Sequence, residues 1–237
     1  MIQVVSQTVV TFVLVITMMM GVSGYMKEDS IQNKRQNINV LALEYMEQKY
    51  GETFEYSGPF GDSMSGTHDL LVKCASFPDQ NILVEIENYK CDNKLFLDNY
   101  LAVKYREDTI DFLLNCANQV FGEATIFYNV DYQALSPELP VDATFNEFLA
   151  DTRVPLKIDV EVKATDFVSK EQAEQTSELM SVKGTRFWLR IIVVNNSEYG
   201  TFDSKTLKKY VELQKFIQCA VISRLDGDNQ TRWLEEE

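Results

Sequence analysis

Histidine is all but missing from this chain: His68 is the only one among 237 residues. A lone imidazole cannot build a histidine-rich metal centre, and it leaves any serine nucleophile a single candidate base. The four cysteines, Cys74, Cys91, Cys116 and Cys219, include no CxxC pair, which excludes the usual zinc spacings. Cys74 and Cys116 fall at apolar positions of an expected strand and helix, where a thiol behaves as a small hydrophobe. Buried thiols are expected, with a Cys74–Cys91 bridge as the alternative. Basic side chains are short as well: 22 Lys and Arg face 36 Asp and Glu, for a net charge of −14. So acidic a surface repels phosphate backbones and argues against a nucleic-acid partner. The tightest basic group in the body, Lys205, Lys208 and Lys209, has the spacing of a solvated helix face. No residue set amounts to a catalytic, metal or cofactor signature.

Charge is absent altogether before Lys27. Val9 to Met20 reads VVTFVLVITMMM, and weaker apolar character continues to Met26. A hydrocarbon core roughly 30 Å thick needs about 18–20 such residues, so residues 1–26 are expected to act as a signal anchor or signal peptide. Val22-Ser23-Gly24 offers the small residues a signal peptidase reads. Residues 27–37 form a polar juxtamembrane stretch. Lys27, Lys34 and Arg35 follow the apolar segment and none precedes it, so the positive-inside rule taken literally leaves the body in the cytoplasm. Export is the favoured expectation: a single-pass membrane protein with an extracytoplasmic body, or a secreted one after cleavage near Gly24.

Hydrophobic residues make up 45% of the chain, enough for a packed core. A helix is expected from Gln36 to Tyr50, with Ile38, Leu41, Ala42, Tyr45 and Met46 on its inner face and Gly51 as its stop. Thr53–Tyr56 reads as a short extended piece followed by a loop, SGPFGDSMSGTHD. Leu70–Ser76 and Ile82–Asn88 read as a hairpin turned by FPDQN. A long helix follows over Asn99–Phe121, then a strand at Ala124–Val130. Residues 131–143, with Pro137 and Pro140, read as a linker between two lobes, 38–130 and 144–237. In the second lobe Thr144 with Glu147, and Ser169 with Gln172, make capping boxes. Leu156–Lys163 and Arg186–Val194 are strands that a βαβ unit would set side by side, the second of them central. A helix is expected after Asp203, then a strand near the end of KFIQCAVISRL. The fold class is α+β, mixed sheets with packed helices, behind an amino-terminal hydrophobic helix.

At LEYMEQKYGETFEY, DNYLAVKY and FNEFLADTR the chain resembles an uncharacterised group of exported, membrane-tethered proteins from Gram-positive bacteria. The resemblance covers most of the body and implies an envelope location, with no activity attached. Neither an amino-terminal lysine cluster nor a lipobox cysteine is present.

Three motifs need weighing. Phe60-Gly61-Asp62-Ser63 superficially resembles the nucleophile block of GDSL-type esterases, but His68 lies in the same loop as Ser63 and not in a distant DxxH element. Asp226, Asp228, Gln230 and Glu237 fit four positions of a calcium loop, yet Thr231 stands where glycine is required; an acidic, fraying terminus is expected instead. Arg186, Trp188 and Arg190 share one face of a strong strand and form the candidate binding site. The competing and favoured account is structural, with Asp159 and Glu161 pairing the arginines across the sheet and the indole packed. The function expected is a membrane-tethered domain that binds a protein or envelope component. The alternative is an envelope hydrolase using Ser63 or the Glu85/Glu87 pair, whose side chains lie on one strand face.

Overall fold

Period-two alternation decides which side chains meet inside this protein. The computed structural model describes residues 38–62, 66–129, 134–151, 155–163, 168–181, 185–224 and 229–235. Residues 1–37, including the expected anchor and juxtamembrane stretch, lie outside the described residues, as do Ser63 and 225–228. Among the described residues no helix is long and apolar enough to cross a membrane. The fold is α+β, with one antiparallel and one mixed sheet.

Helix α1 (residues 38–50) leads into the first sheet, an antiparallel meander in the order β1-β2-β3-β4. Its strands are β1 (Phe54–Asp62), β2 (His68–Cys74), β3 (Ile82–Glu87) and β4 (Leu95–Asp98). Leu70, Val72 and Cys74 alternate inward on β2, and Val84 and Ile86 do so on β3. The expected hairpin is present. Strand β1, however, runs through the GPFGD segment expected to be a loop. It is an edge strand with register shifts at Tyr56/Gly58 and Pro59/Gly61. Edge position and bulges are where a sheet tolerates proline and glycine.

The expected long helix is two, α2 (Tyr100–Lys104) and α3 (Arg106–Phe121), broken at Tyr105. The Tyr105 carbonyl accepts both the Thr109 amide, at 2.9 Å, and the Thr109 hydroxyl, at 2.7 Å. The Tyr105 hydroxyl donates to the Ala143 carbonyl at 2.7 Å, which fixes the break. Gly122 ends α3 at φ 75°, a conformation that disfavours a side chain. Thr109, Leu113, Cys116 and Ala117 form the buried row of α3.

The second sheet has the order β5-β6-β7-β8-β9. Its strands are β5 (Ala124–Asn129), β6 (Leu156–Lys163), β7 (Phe187–Val194), β8 (Gln218–Arg224) and β9 (Asn229–Glu235). The short α4 (Phe145–Leu149) precedes β6, and α5 (Lys170–Met180) links β6 to β7, which pair in parallel. Both capping boxes are formed. Strand β7 is central, as expected from its apolar second half, and α6 (Ser204–Glu212) starts at an Asp203 cap. The expectation of a fraying terminus fails: β9 pairs with β8 from Asn229↔Arg224 to Glu235↔Gln218. Its Thr231 and Trp233 suit a pleated strand, and its partner is supplied by a segment that itself reads ambiguously.

One core draws on both sheets. Leu70, Val84 and Ile86 belong to the same buried cluster as Ile158, Val160, Leu189 and Ile191. Ala134, Leu135 and Ala143 are buried, and the Leu135 amide donates to the Asp98 carbonyl at 2.8 Å. A second, smaller cluster lies on the opposite face of the second sheet, where Leu207 and Tyr210 of α6 cover Ile192, Val194 and Cys219.

Candidate binding face on the second sheet

Because side chains alternate across a strand, β7 has two unlike faces. Phe187, Leu189, Ile191 and Val193 enter the large core. Trp188, Arg190, Ile192 and Val194 point to the other side, where α6 covers only the last two. Trp188 is 45% exposed. The expected packed indole is therefore not found, since the helix that covers this face ends its coverage before reaching it. Register places Lys157 of β6 on one side of Trp188 and Ser223 of β8 on the other.

The cross-strand pairing of Arg190 is found. Its Nε and Nη2 donate to Asp159 Oδ1 and Oδ2 at 2.6 and 2.7 Å, a planar bidentate contact. The hydrogen bonds from Arg190 to Asp159 hold its proton more firmly than usual. Arg186 stands just before β7, half-buried, and its carbonyl accepts the Leu156 amide at 2.9 Å. Glu161, expected to pair an arginine, is instead fully buried beneath the loop after β7. Its Oε1 accepts the Gly200 amide at 3.1 Å, while Oε2 has no partner. Burial raises its pKa above the ordinary carboxylate value.

The remaining candidates are scattered. His68 is buried on β2 with Nε2 3.3 Å from Asn39 Oδ1 and its ring 5.6 Å from that of Tyr89. Glu85 and Glu87 are half-buried on one side of β3, with Glu85 opposite Asp69. All four cysteines are free, and Cys91 is exposed, so the Cys74–Cys91 bridge is not formed. Burial raises the thiol of Cys219 to about 11 and pushes those of Cys74 and Cys116 upward. Among the described residues no group of three His, Cys, Asp or Glu side chains is placed to hold a metal ion. An open depression of about 580 Å³ at the end of α3 is lined by Val120, Glu123, Val162, Lys163, Val168 and Gln172. Glu123 and Lys163 there form an ion pair.

One cluster escaped the sequence reading. Asp98 accepts at Oδ2 from the Tyr45 hydroxyl, at 3.0 Å, and from the Lys49 ammonium, at 2.8 Å. At Oδ1 it accepts from the Tyr50 hydroxyl, at 2.6 Å, and from the Tyr100 amide, at 3.0 Å. Burial, then the nearby Asp98 charge, pushes the Tyr45 and Tyr50 hydroxyls far above their ordinary pKa. Four donors saturate this carboxylate, and its side chain is only 1% exposed. The arrangement fastens α1 to the first sheet and has no lone pair left for a substrate. Nothing local in the sequence marks it, because Tyr45 and Asp98 are 53 positions apart.

No protein-family model matches this chain, and no curated protein is similar to it. Among solved structures it is similar to the crystal structure of a DUF5037 family protein from Ruminococcus gnavus. The TM-score is 0.40, with 12% identity, covering 81% of this chain and 94% of that one.

Proposed function

We propose that this chain is a membrane-tethered binding domain that receives a protein or cell-envelope component on the outer face of its second sheet, around Trp188. The observation that carries the reading is the 45% exposure of an indole on the central strand of a five-stranded sheet, on a face that α6 covers only toward the end of that strand. A large aromatic left open beside a cation and a fixed ion pair has the composition of an interface anchor. Arg190, oriented by Asp159, and Arg186 flank it in sequence. The apolar, uncharged residues 1–26 support the tether, and the resemblance to exported proteins from Gram-positive bacteria supports an extracytoplasmic body.

Two measurements test the proposal. Full-length protein fractionated from its host should remain with membranes after high-salt washing, or leave the cell cut near Gly24. Uncleaved protein in the soluble cytosol overturns the tether. A photo-crosslinking amino acid at position 188 should give a discrete adduct in host cells, absent when the same group replaces exposed Asp111. No adduct at 188, or the same adduct at both positions, overturns the binding face.

A further inference from the structure

Helix α6 carries charge of the opposite sign from the rest of the molecule. From Ser204 to Phe216 there are four lysines, Lys205, Lys208, Lys209 and Lys215, and one acid, Glu212, in a chain of net charge −14. All four lysines are exposed. Leu207 and Tyr210 face inward, so Lys205, Lys208 and Lys209 project from the opposite side of the helix. Acids nearby are already engaged: Asp203 caps the helix by accepting the Thr206 amide at 2.7 Å, and Glu198 accepts the Tyr210 hydroxyl at 2.9 Å. Among the described residues none of the four forms a salt bridge, and only Lys205 acts on a neighbouring acid, helping to lower the Asp203 pKa behind the Thr206 hydrogen bonds. Just beyond the last turn Leu213 is 55% exposed, the highest value among the exposed large hydrophobics of the described residues. The apolar side of α6 is spent on the core, so what it offers outward is a lysine row that anionic headgroups attract, with Leu213 as an apolar contact at its end.

We infer that the outer face of α6 rests on the anionic headgroups of the membrane that holds the chain, with Leu213 entering the interface. The inference builds on the proposed tether, which makes the bilayer the most concentrated anionic surface the body meets. Residues 27–37 span at most about 40 Å, against a radius of gyration of roughly 16 Å for a 200-residue body. Eleven residues at full extension would thus reach about as far as such a body is wide, enough for a face beside the attachment point to meet the bilayer. The body's acidity does not prevent this. Charges more than about 10 Å away are screened at physiological salt, so the membrane responds to the face presented to it. Contact through α6 also fixes the side from which Trp188 is approached, because both belong to the same side of the second sheet.

The experiment uses the full chain in vesicles of phosphatidylcholine alone or of phosphatidylcholine with phosphatidylglycerol. Each lysine's reaction rate with an amine-specific reagent is read by mass spectrometry. Lys205, Lys208 and Lys209 should react about fivefold more slowly on the anionic vesicles, while exposed Lys90 and Lys104 keep their rates. Salt that shortens the Debye length to about 3 Å should remove the protection. In the variant Lys205→Glu/Lys208→Glu/Lys209→Glu, Lys215 should lose its protection as well. Equal rates on the two vesicle types, or Lys215 protection that survives the triple change, overturns the inference. Failure of the tether is read separately, as full-length protein that does not float with pure phosphatidylcholine vesicles. Lysine protection on the anionic vesicles is still measurable in that case.

Discussion

Arg190 and Asp159 lie directly opposite each other in the parallel β6–β7 register and meet in a two-bonded contact at 2.6 and 2.7 Å. Both side chains remain partly exposed, at 33% and 23%. Exposed ion pairs contribute about 0–1 kcal/mol, and bidentate geometry places this one at the upper end. Arg190→Ala should therefore cost about 1 kcal/mol, a fall of roughly 2–4 °C in Tm for a body of this size. Thermal unfolding followed by circular dichroism checks it. A fall above 8 °C would mean that the pair supports more than its own two strands.

Phe187 and Trp188 are neighbours in sequence and opposites in environment. The first is fully buried and the second 45% exposed. Phe187→Ala should cost about 3–5 kcal/mol, the range for a large aromatic removed from a core. Trp188→Ala should cost about 1–2 kcal/mol, because roughly half of its surface is already in water. Urea unfolding of the two variants gives the comparison directly. Equal losses would show that the indole is packed after all.

Glu161 makes stability depend on pH with an unusual sign for a carboxylate. Burial raises its pKa in the folded state, so over some range the folded protein holds a proton that the unfolded chain has released. Its contribution is complete below the ordinary glutamate pKa of about 4.3. It declines as pH rises through the raised folded value. Glu161→Gln keeps an acceptor for the Gly200 amide and cannot ionise, so it should remove this slope and be at least as stable as wild type at pH 8. Parallel stability–pH curves for the two proteins would show that Glu161 does not hold its proton on folding.

Features carried by adjacent residues were legible in the sequence. The Thr144/Glu147 and Ser169/Gln172 boxes, the alternation of Leu156–Lys163 and the apolar run that makes β7 central all depend on spacings of four residues or fewer, or on a single strand. What failed depended on distant partners. The GPFGD segment reads as a loop because nothing nearby shows that β1 is an edge strand. Leu41 was expected inside α1 and is 37% exposed, since Ala42 and Met46 set the buried face. Of the stripe expected at Arg186, Trp188 and Arg190, the last two lie on one face of β7, while Arg186 falls just before the strand begins. How much of it α6 covers depends on where a helix from another part of the chain ends. Strand β4 has four residues, too few for alternation to register.

Asp98 is the sharpest case of a residue whose role comes from distant contacts. Its carboxylate is nearly inaccessible and takes four donors, three of them from α1 side chains and one from the Tyr100 amide. Removing one partner of a buried, hydrogen-bonded charge pair costs about 3–5 kcal/mol, because the other charge stays behind unpaired. In Asp98→Ala, Lys49 loses its charge partner and two tyrosine hydroxyls lose their acceptor together, so that range is expected. Tyr45→Phe removes a hydroxyl that donates to Asp98 and accepts from Lys49, but keeps the Lys49–Asp98 ion pair, at about 1–2 kcal/mol. The two effects should also differ in location. Hydrogen exchange in α1 should accelerate strongly in Asp98→Ala, while β7 amides, buried at the centre of the other sheet, should change only with global stability. An Asp98→Ala protein that unfolds at the same urea concentration as wild type, with α1 still protected, would show that the helix is held by the burial of Ile38, Ala42 and Met46 alone.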